Sequence, residues 1–319
     1  MRGGPDVLDT SRTLYQEPVG SRLASPPRQG WQDGFVYLRR GLALAGRGPG
    51  PYLLILAVYA APSLIAGYLT ATVPEPDLWQ RAAILGLPWI TVVLGTVVVM
   101  VTVSYQAQGR SIGLGLATWE ASRWVPRYLW TNAHTSLIFW IPVGLVLQLR
   151  NWQEAALPVP GMPAAAVVLL WWLVTGAVAL YLHTRTVLAP FLAVHGDLPG
   201  TLAAIEAWRL SGRYFALCFG TFVAGALPVA LPLGLAVLGL AVMLPDAALE
   251  ALLPAAPDLT WAGIQAVRPV LIPSLYALYK DVWHAEQVRR KREGAPPVPA
   301  LARVLLALTG PLPALGRWS

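Results

Sequence analysis

The chain has 319 residues, of which 56% are hydrophobic and 12% charged, with a mean hydropathy of +0.55 and a net charge of +7. A soluble protein carries about 25% charged residues, so this balance excludes a disordered chain, argues against a soluble globule and predicts a polytopic, all-α membrane protein. The single cysteine, Cys218, excludes an internal disulfide framework.

In chain order, residues 1–30 are rich in Gly, Pro, Ser, Asp and Arg and lack an apolar core segment. They are expected to form a disordered cytoplasmic arm with no cleavable signal peptide. A bilayer core of about 30 Å needs roughly 20 apolar residues in a helix. Six stretches meet this: 51–73, 82–104, 128–149, 162–182, one span within 214–244, and 261–279. The last is interrupted by Arg268 and two prolines. Residues 31–294 are thus read as a six-span membrane domain. Residues 295–319 are expected to form a cytoplasmic tail, whose apolar segment 299–308 is too short to span and should lie on the membrane or on the bundle.

The charges orient these spans. With an inside N-terminus, the inside segments hold 20 of the 23 basic residues, and the outside loops hold only Arg81 and Arg150. Those same loops hold Glu75, Asp77, Glu154, Asp246, Glu250 and Asp258. The positive-inside rule therefore predicts a multi-pass protein with both termini cytoplasmic. It also accounts for the positive charge without nucleic acid, which is not expected as a partner.

A repeat lies within the chain. Residues 116–145 and 202–231 match at 11 of 30 positions at a constant offset of 86. The shared core is L-A-x-x-E-A-x-R-x-x-x-R-Y, and a Pro-Val pair follows. Two intervening spans keep both copies in one orientation, so a parallel repeat is expected. In each copy the charged part has helical period. Glu120, Arg123 and Arg127, like Glu206, Arg209 and Arg213, fall at i, i+3 and i+7. These segments read as interfacial amphipathic helices leading into spans three and five. A fainter third copy precedes span one, with Trp31, Phe35, Leu38 and Leu42 as its apolar stripe.

Residues 184–222, TRTVLAPFLAVHGDLPGTLAAIEAWRLSGRYFALCFGTF, resemble a segment of the membrane domain associated with bacterial glycerophosphodiester phosphodiesterases. Residues 275–294, LYALYKDVWHAEQVRRKREG, are similar to the close of the same group, and the resemblance covers roughly 31–294. It implies a six-helix domain of the bacterial cytoplasmic membrane. It does not bring the phosphodiesterase with it, because that chemistry needs a soluble barrel with a His-Arg-Gly, and none of His134, His183, His195 and His284 precedes Arg-Gly.

Candidate sites are few. No H-E-x-x-H or C-x-x-C occurs; His183 and His195 lie twelve apart and read as interfacial histidines rather than a zinc pair. The glycines of GRGPGP and SIGLGLA follow no predicted strand and read as turns. Ser136 and Cys218 lie in apolar spans; His134, two residues from Ser136, is off its helical face. Neither cofactor, metal nor catalytic constellation is expected. Arg268 is the strongest intramembrane charge, expected to snorkel or to pair with Asp258 or Glu154.

Two readings of the repeated charges remain. In one, Glu120 and Glu206 make structural ion pairs with arginines of their own or the opposite copy. In the other, Arg123, Arg127, Arg185, Arg209 and Arg213 form a pocket for a lipid phosphate, to which the arginine fork is suited. The expected function is that of a non-enzymatic membrane protein, a scaffold or a lipid-interacting factor with anionic headgroups as partners. The alternative is a permease or channel-like transporter, with Pro142 breaking span three and Pro228 and Pro232 breaking span five. An intramembrane enzyme is the third reading.

Overall fold

The computed structural model describes residues 30–50, 77–156, 164–196, 198, 200–243 and 256–294, with residues 52–54, 61, 65 and 68 between the first two. Residues 1–29 of the expected arm 1–30, the tail 295–319 and most of the expected span 51–73 lie outside the described residues. All regular structure among those described is helical. A 3₁₀ turn, Trp31–Asp33, enters α1 (Gly34–Gly46). There follow α2 (Leu78–Ala107), α3 (Leu114–Ala156), α4 (Ala164–Thr186), the short α5 (Ala189–Val194), α6 (Gly200–Arg213), α7 (Phe215–Met243) and α8 (Ala256–Arg292).

Three stretches are long and apolar enough to cross a membrane: Ile90–Ala107 in α2, Leu114–Leu149 in α3, and Leu173–Val194 through α4 and α5. Gly200–Arg213 with Phe215–Pro228 makes a fourth if that bent pair counts as one span. The expected count of six is therefore met only in part. Span one lies largely outside the described residues, and α8, with its charged end, is not among the candidates.

Local sequence explains the element ends. Asp77 caps α2 by accepting from the Gln80 N–H at 2.7 Å, and the Asp77 N–H donates to the Gln80 side chain at 3.0 Å. After α2 the chain turns at Gly109, whose φ of 74° suits a residue without Cβ. Helix α2 is apolar on every face, and it is central: residues 95–104 are all buried. Its hydroxyls are satisfied within the helix, Thr96 donating to the Val92 carbonyl and Thr102 to that of Val98. Helix α5 is a plug beside it, with Ala189 and Phe191–Val194 buried.

The outer faces of α3, α4 and α7 carry large exposed apolar side chains, among them Leu137, Trp140, Leu145, Leu173, Leu227 and Leu231. In water such bands would be a liability; against lipid they are ordinary.

Helix α1 packs against α7 and α8 through small residues. Gly34 lies on the backbone of Gly220, and Gly41 lies on Ser274. The buried residues of α1 are thus Gly34, Tyr37 and Gly41, while Trp31, Phe35 and Leu42 of the expected apolar stripe are exposed. Without a hydrophobic drive between helices in lipid, close backbone approach decides which face packs.

The two sequence copies take different backbones. Copy one runs without a break inside the 43-residue α3. Its charged part, expected to be a separate interfacial helix, is the first turns of that rod. Copy two is divided at Tyr214, where α6 meets α7 at 99°. The expected breaks at Pro142, Pro228 and Pro232 do not occur, since all three lie inside continuous helices. Proline is tolerated in long apolar helices because neighbouring groups satisfy the carbonyl it frees.

Candidate functional site

The strongest concentration of charge joins α6 to α8. Glu206, Arg209 and Arg213 follow one face of α6, as their spacing dictates. Glu286, Arg289 and Arg290 occupy one turn of α8. The Glu286 side chain has no exposed surface. Its carboxylate accepts from Arg209 at 2.6 Å, Arg213 at 3.2 Å, Arg289 at 2.7 and 3.0 Å, and Arg290 at 2.9 Å. Glu206 accepts from Arg209 at 2.6 and 3.0 Å and from Arg290 at 2.6 Å. Arg209 and Arg290 thus each serve both carboxylates, and the two helices are tied in register.

Burial alone would raise the Glu286 carboxyl. Hydrogen bonds from Arg289, Arg209 and Arg290 outweigh it and hold the group at about 2. Glu293 at the rim also pairs with Arg289, so three carboxylates meet four guanidiniums and one positive charge is left over. The arginine side chains are not sealed: 39% of Arg209 and 43% of Arg213 remain exposed. The arrangement fixes a cationic face whose donors keep free edges.

The other expected site residues lie elsewhere. Arg185, from α4, stacks on Trp208 of α6 with its guanidinium 4.4 Å from the ring centre. Gly212 makes room for it, because a Cβ there would meet the guanidinium. Arg123 and Arg127 stack on Trp119 and Trp124 of their own helix, at 5.7 and 5.5 Å. Glu120 accepts from the Tyr105 hydroxyl of α2 at 2.7 Å. Of the five expected phosphate-binding arginines, the structure therefore joins Arg209 and Arg213 on one carboxylate. The two copies use their matching glutamates for different partners.

Sequence reasoning misses this site: Arg289 and Arg290 count there only toward the positive inside face, and Glu286 has no assigned role. The signal was present: a lone Glu followed by arginines at i+3 and i+4, a spacing that places them together on a helix.

Arg268 corrects a second expectation. It turns inward to α2, donating to the Val92 carbonyl at 3.2 Å and to the Thr96 hydroxyl. An arginine near the middle of an apolar bundle needs such acceptors, and α2 supplies a carbonyl and a hydroxyl from the same turn. His134 has partners on both nitrogens, the Trp130 carbonyl at 2.8 Å and Thr201 at 3.1 Å. His183 packs on Phe222 and His195 on Tyr276. Among the described residues no three His, Cys, Asp or Glu side chains come together as a metal would require.

The fold and charge distribution define an all-helical protein with several helices able to cross a membrane. Compared with protein-family models, curated proteins and solved structures, the chain matches none of the three.

Proposed function

We propose that the chain is a non-catalytic multi-pass protein of the cytoplasmic membrane that holds anionic lipid headgroups against a rigid cationic face. One observation carries this reading: four arginines of α6 and α8 are fixed by two enclosed carboxylates, with positive charge left over. Arginines already oriented lose little freedom on meeting a phosphate, and Arg209 and Arg213, the more exposed of the four, keep guanidinium nitrogens that bond neither carboxylate. The basic residues of α6 and α8 fall on the side that charge counting assigns to the cytoplasm, where anionic lipids attract them. Six spans, a parallel repeat and cytoplasmic termini belong to this proposal. The resemblance of residues 31–294 to the phosphodiesterase-associated membrane domain supports the span count.

Native mass spectrometry of the full chain, released from vesicles containing one quarter phosphatidylglycerol in phosphatidylcholine, tests it. Retention of phosphatidylglycerol over phosphatidylcholine is expected, reduced in Arg213→Gln. Arg213 makes the longest contact in the cluster, so its loss leaves Glu286 with three arginines. Equal retention of the two lipids would end the proposal.

A permease reading draws support from one observation, the 99° break between α6 and α7 within a repeat copy. Its test is uptake into proteoliposomes, which substituting Arg268 should abolish.

A further inference from the structure

A cavity of about 320 Å³ lies between α1, the end of α2 and α8, on the side of α1 away from its exposed Phe35 and Leu42. Arg40, Arg47, Lys280 and Asp281 supply its charges, with Leu44 and Tyr276 among its apolar walls. Arg40 and Arg47 fall at i and i+7, which places them on one face of the α1 segment.

The walls are fixed by contacts that do not consume all of this charge. Asp281 accepts from Arg40 at 2.6 Å and from the Tyr37 hydroxyl at 3.1 Å. Arg47 donates to the Gln106 carbonyl at 3.0 Å, and the Gln106 amide donates to the Gly48 carbonyl at 3.3 Å. Tyr52, which is buried, donates to the Gln106 side chain. These bonds stitch the chain after α1 to the end of α2 and hold Arg47 at the cavity. Lys280 is exposed and makes no hydrogen bond or ion pair among the described residues. Three cations face one carboxylate, a surplus of two positive charges around a concave, partly apolar space.

We infer that this cavity is a binding site for a phosphate ester. A phosphate matches the surplus in charge, and its oxygens suit two guanidiniums and an ammonium converging from two helices. The volume is at the lower end of the range for small-ligand sites, more than a bare phosphate needs. Leu44 and Tyr276 give the remaining space an apolar character, as an ester substituent would require. The ester can come from a lipid headgroup or from a soluble phosphate. The site is separate from the α6–α8 cluster, and the inference does not depend on the lipid reading above.

The full chain in neutral detergent is titrated with dioctanoyl phosphatidic acid and, separately, with phenyl phosphate. Saturable binding of at least one probe is expected, weakened about tenfold in Lys280→Gln, the loss of one hydrogen bond to a charged group. The melting midpoint should stay unchanged, since Lys280 holds nothing in place. A lipid source gives binding of phosphatidic acid without competition by phenyl phosphate; a soluble source gives tight phenyl phosphate binding that inorganic phosphate competes away. Binding of neither probe, or identical binding by Lys280→Gln, overturns the inference. If Arg213→Gln loses phosphatidylglycerol while Lys280→Gln binds both probes normally, the cavity fails and the lipid reading stands. If phenyl phosphate binds at Lys280 and no anionic lipid is retained, the cavity stands and the lipid reading fails.

Discussion

A methyl group on Gly34 of α1 would strike the backbone of Gly220 in α7, and one on Gly220 would strike the backbone of Trp31 just before α1. The contact seats α1 across α7, and Gly41 on Ser274 seats it on α8. Either Gly34→Ala or Gly220→Ala should lower stability in detergent by about 1–3 kcal/mol, the usual cost of overpacking. Gly144→Ala in α3, where the added atom meets open space, should instead gain about 0.5–1 kcal/mol. Thermal melts of the three variants decide this, and a stabilised Gly34→Ala would contradict the packing.

Glu286→Gln should be far costlier than Glu293→Gln. The first removes the charge on which four arginines converge, with an expected loss on the order of 3 kcal/mol. The second removes a half-exposed partner of Arg289 and should change stability by less than about 1 kcal/mol. Equal melting midpoints for the two variants would show that the cluster does not tie α6 to α8.

The same group gives a pH dependence. Glu286 titrates at about 2 in the folded chain, against 4.5 for an ordinary carboxyl. Between those values the unfolded chain binds the extra proton. Its contribution is therefore fully present above pH 4.5 and is lost as the pH falls toward 2. Melting midpoints measured from pH 6 to pH 2.5 should decline over that window, and Glu286→Gln should remove part of the decline. An unaltered slope in the variant would contradict the assignment.

Thr96→Val tests the inward turn of Arg268. The substitution keeps the shape and takes away a hydroxyl acceptor, leaving the arginine with the Val92 carbonyl. A hydrogen bond to a charged group contributes about 1.5–3 kcal/mol. A loss of that order is expected in the natural chain and little in an Arg268→Met background. A double-mutant cycle with no coupling would refute the pairing.

Orientation is open to labelling. Asp77 and Gln108 are exposed and flank α2. With the buried Cys218 left in place, Asp77→Cys should react with an impermeant thiol reagent on intact cells, and Gln108→Cys only after lysis. The reverse pattern would invert the proposed topology.

What the sequence made legible follows from physics that is local. Apolar runs announced α2, α3, α4 and α7, and the i, i+3 spacing put Glu206 beside Arg209. Glu286 was hidden because its partners in α6 are more than 70 residues away, and spacing along one helix cannot reveal a neighbour on another. The face that α1 packs on the bundle is hidden for a different reason. Periodicity identifies an apolar stripe, here that of Trp31 and Phe35, but not whether lipid or protein covers it, and the contact is made by Gly34 and Gly41. Equal letters also misled at Arg127–Tyr128 and Arg213–Tyr214. The first pair continues a helix and the second ends one.

The enclosed Glu286 also sets an order of events. Chains are made from the N-terminus at about 5–20 residues per second. Arg209 leaves the ribosome 77 residues ahead of Glu286, an interval of roughly 4 to 15 seconds at that pace. During it, α6 has only Glu206 to neutralise its arginines. A prematurely ended chain never receives the second carboxylate and keeps an untied basic helix at the membrane. Completion of synthesis is thereby a condition for tying α6 into the bundle.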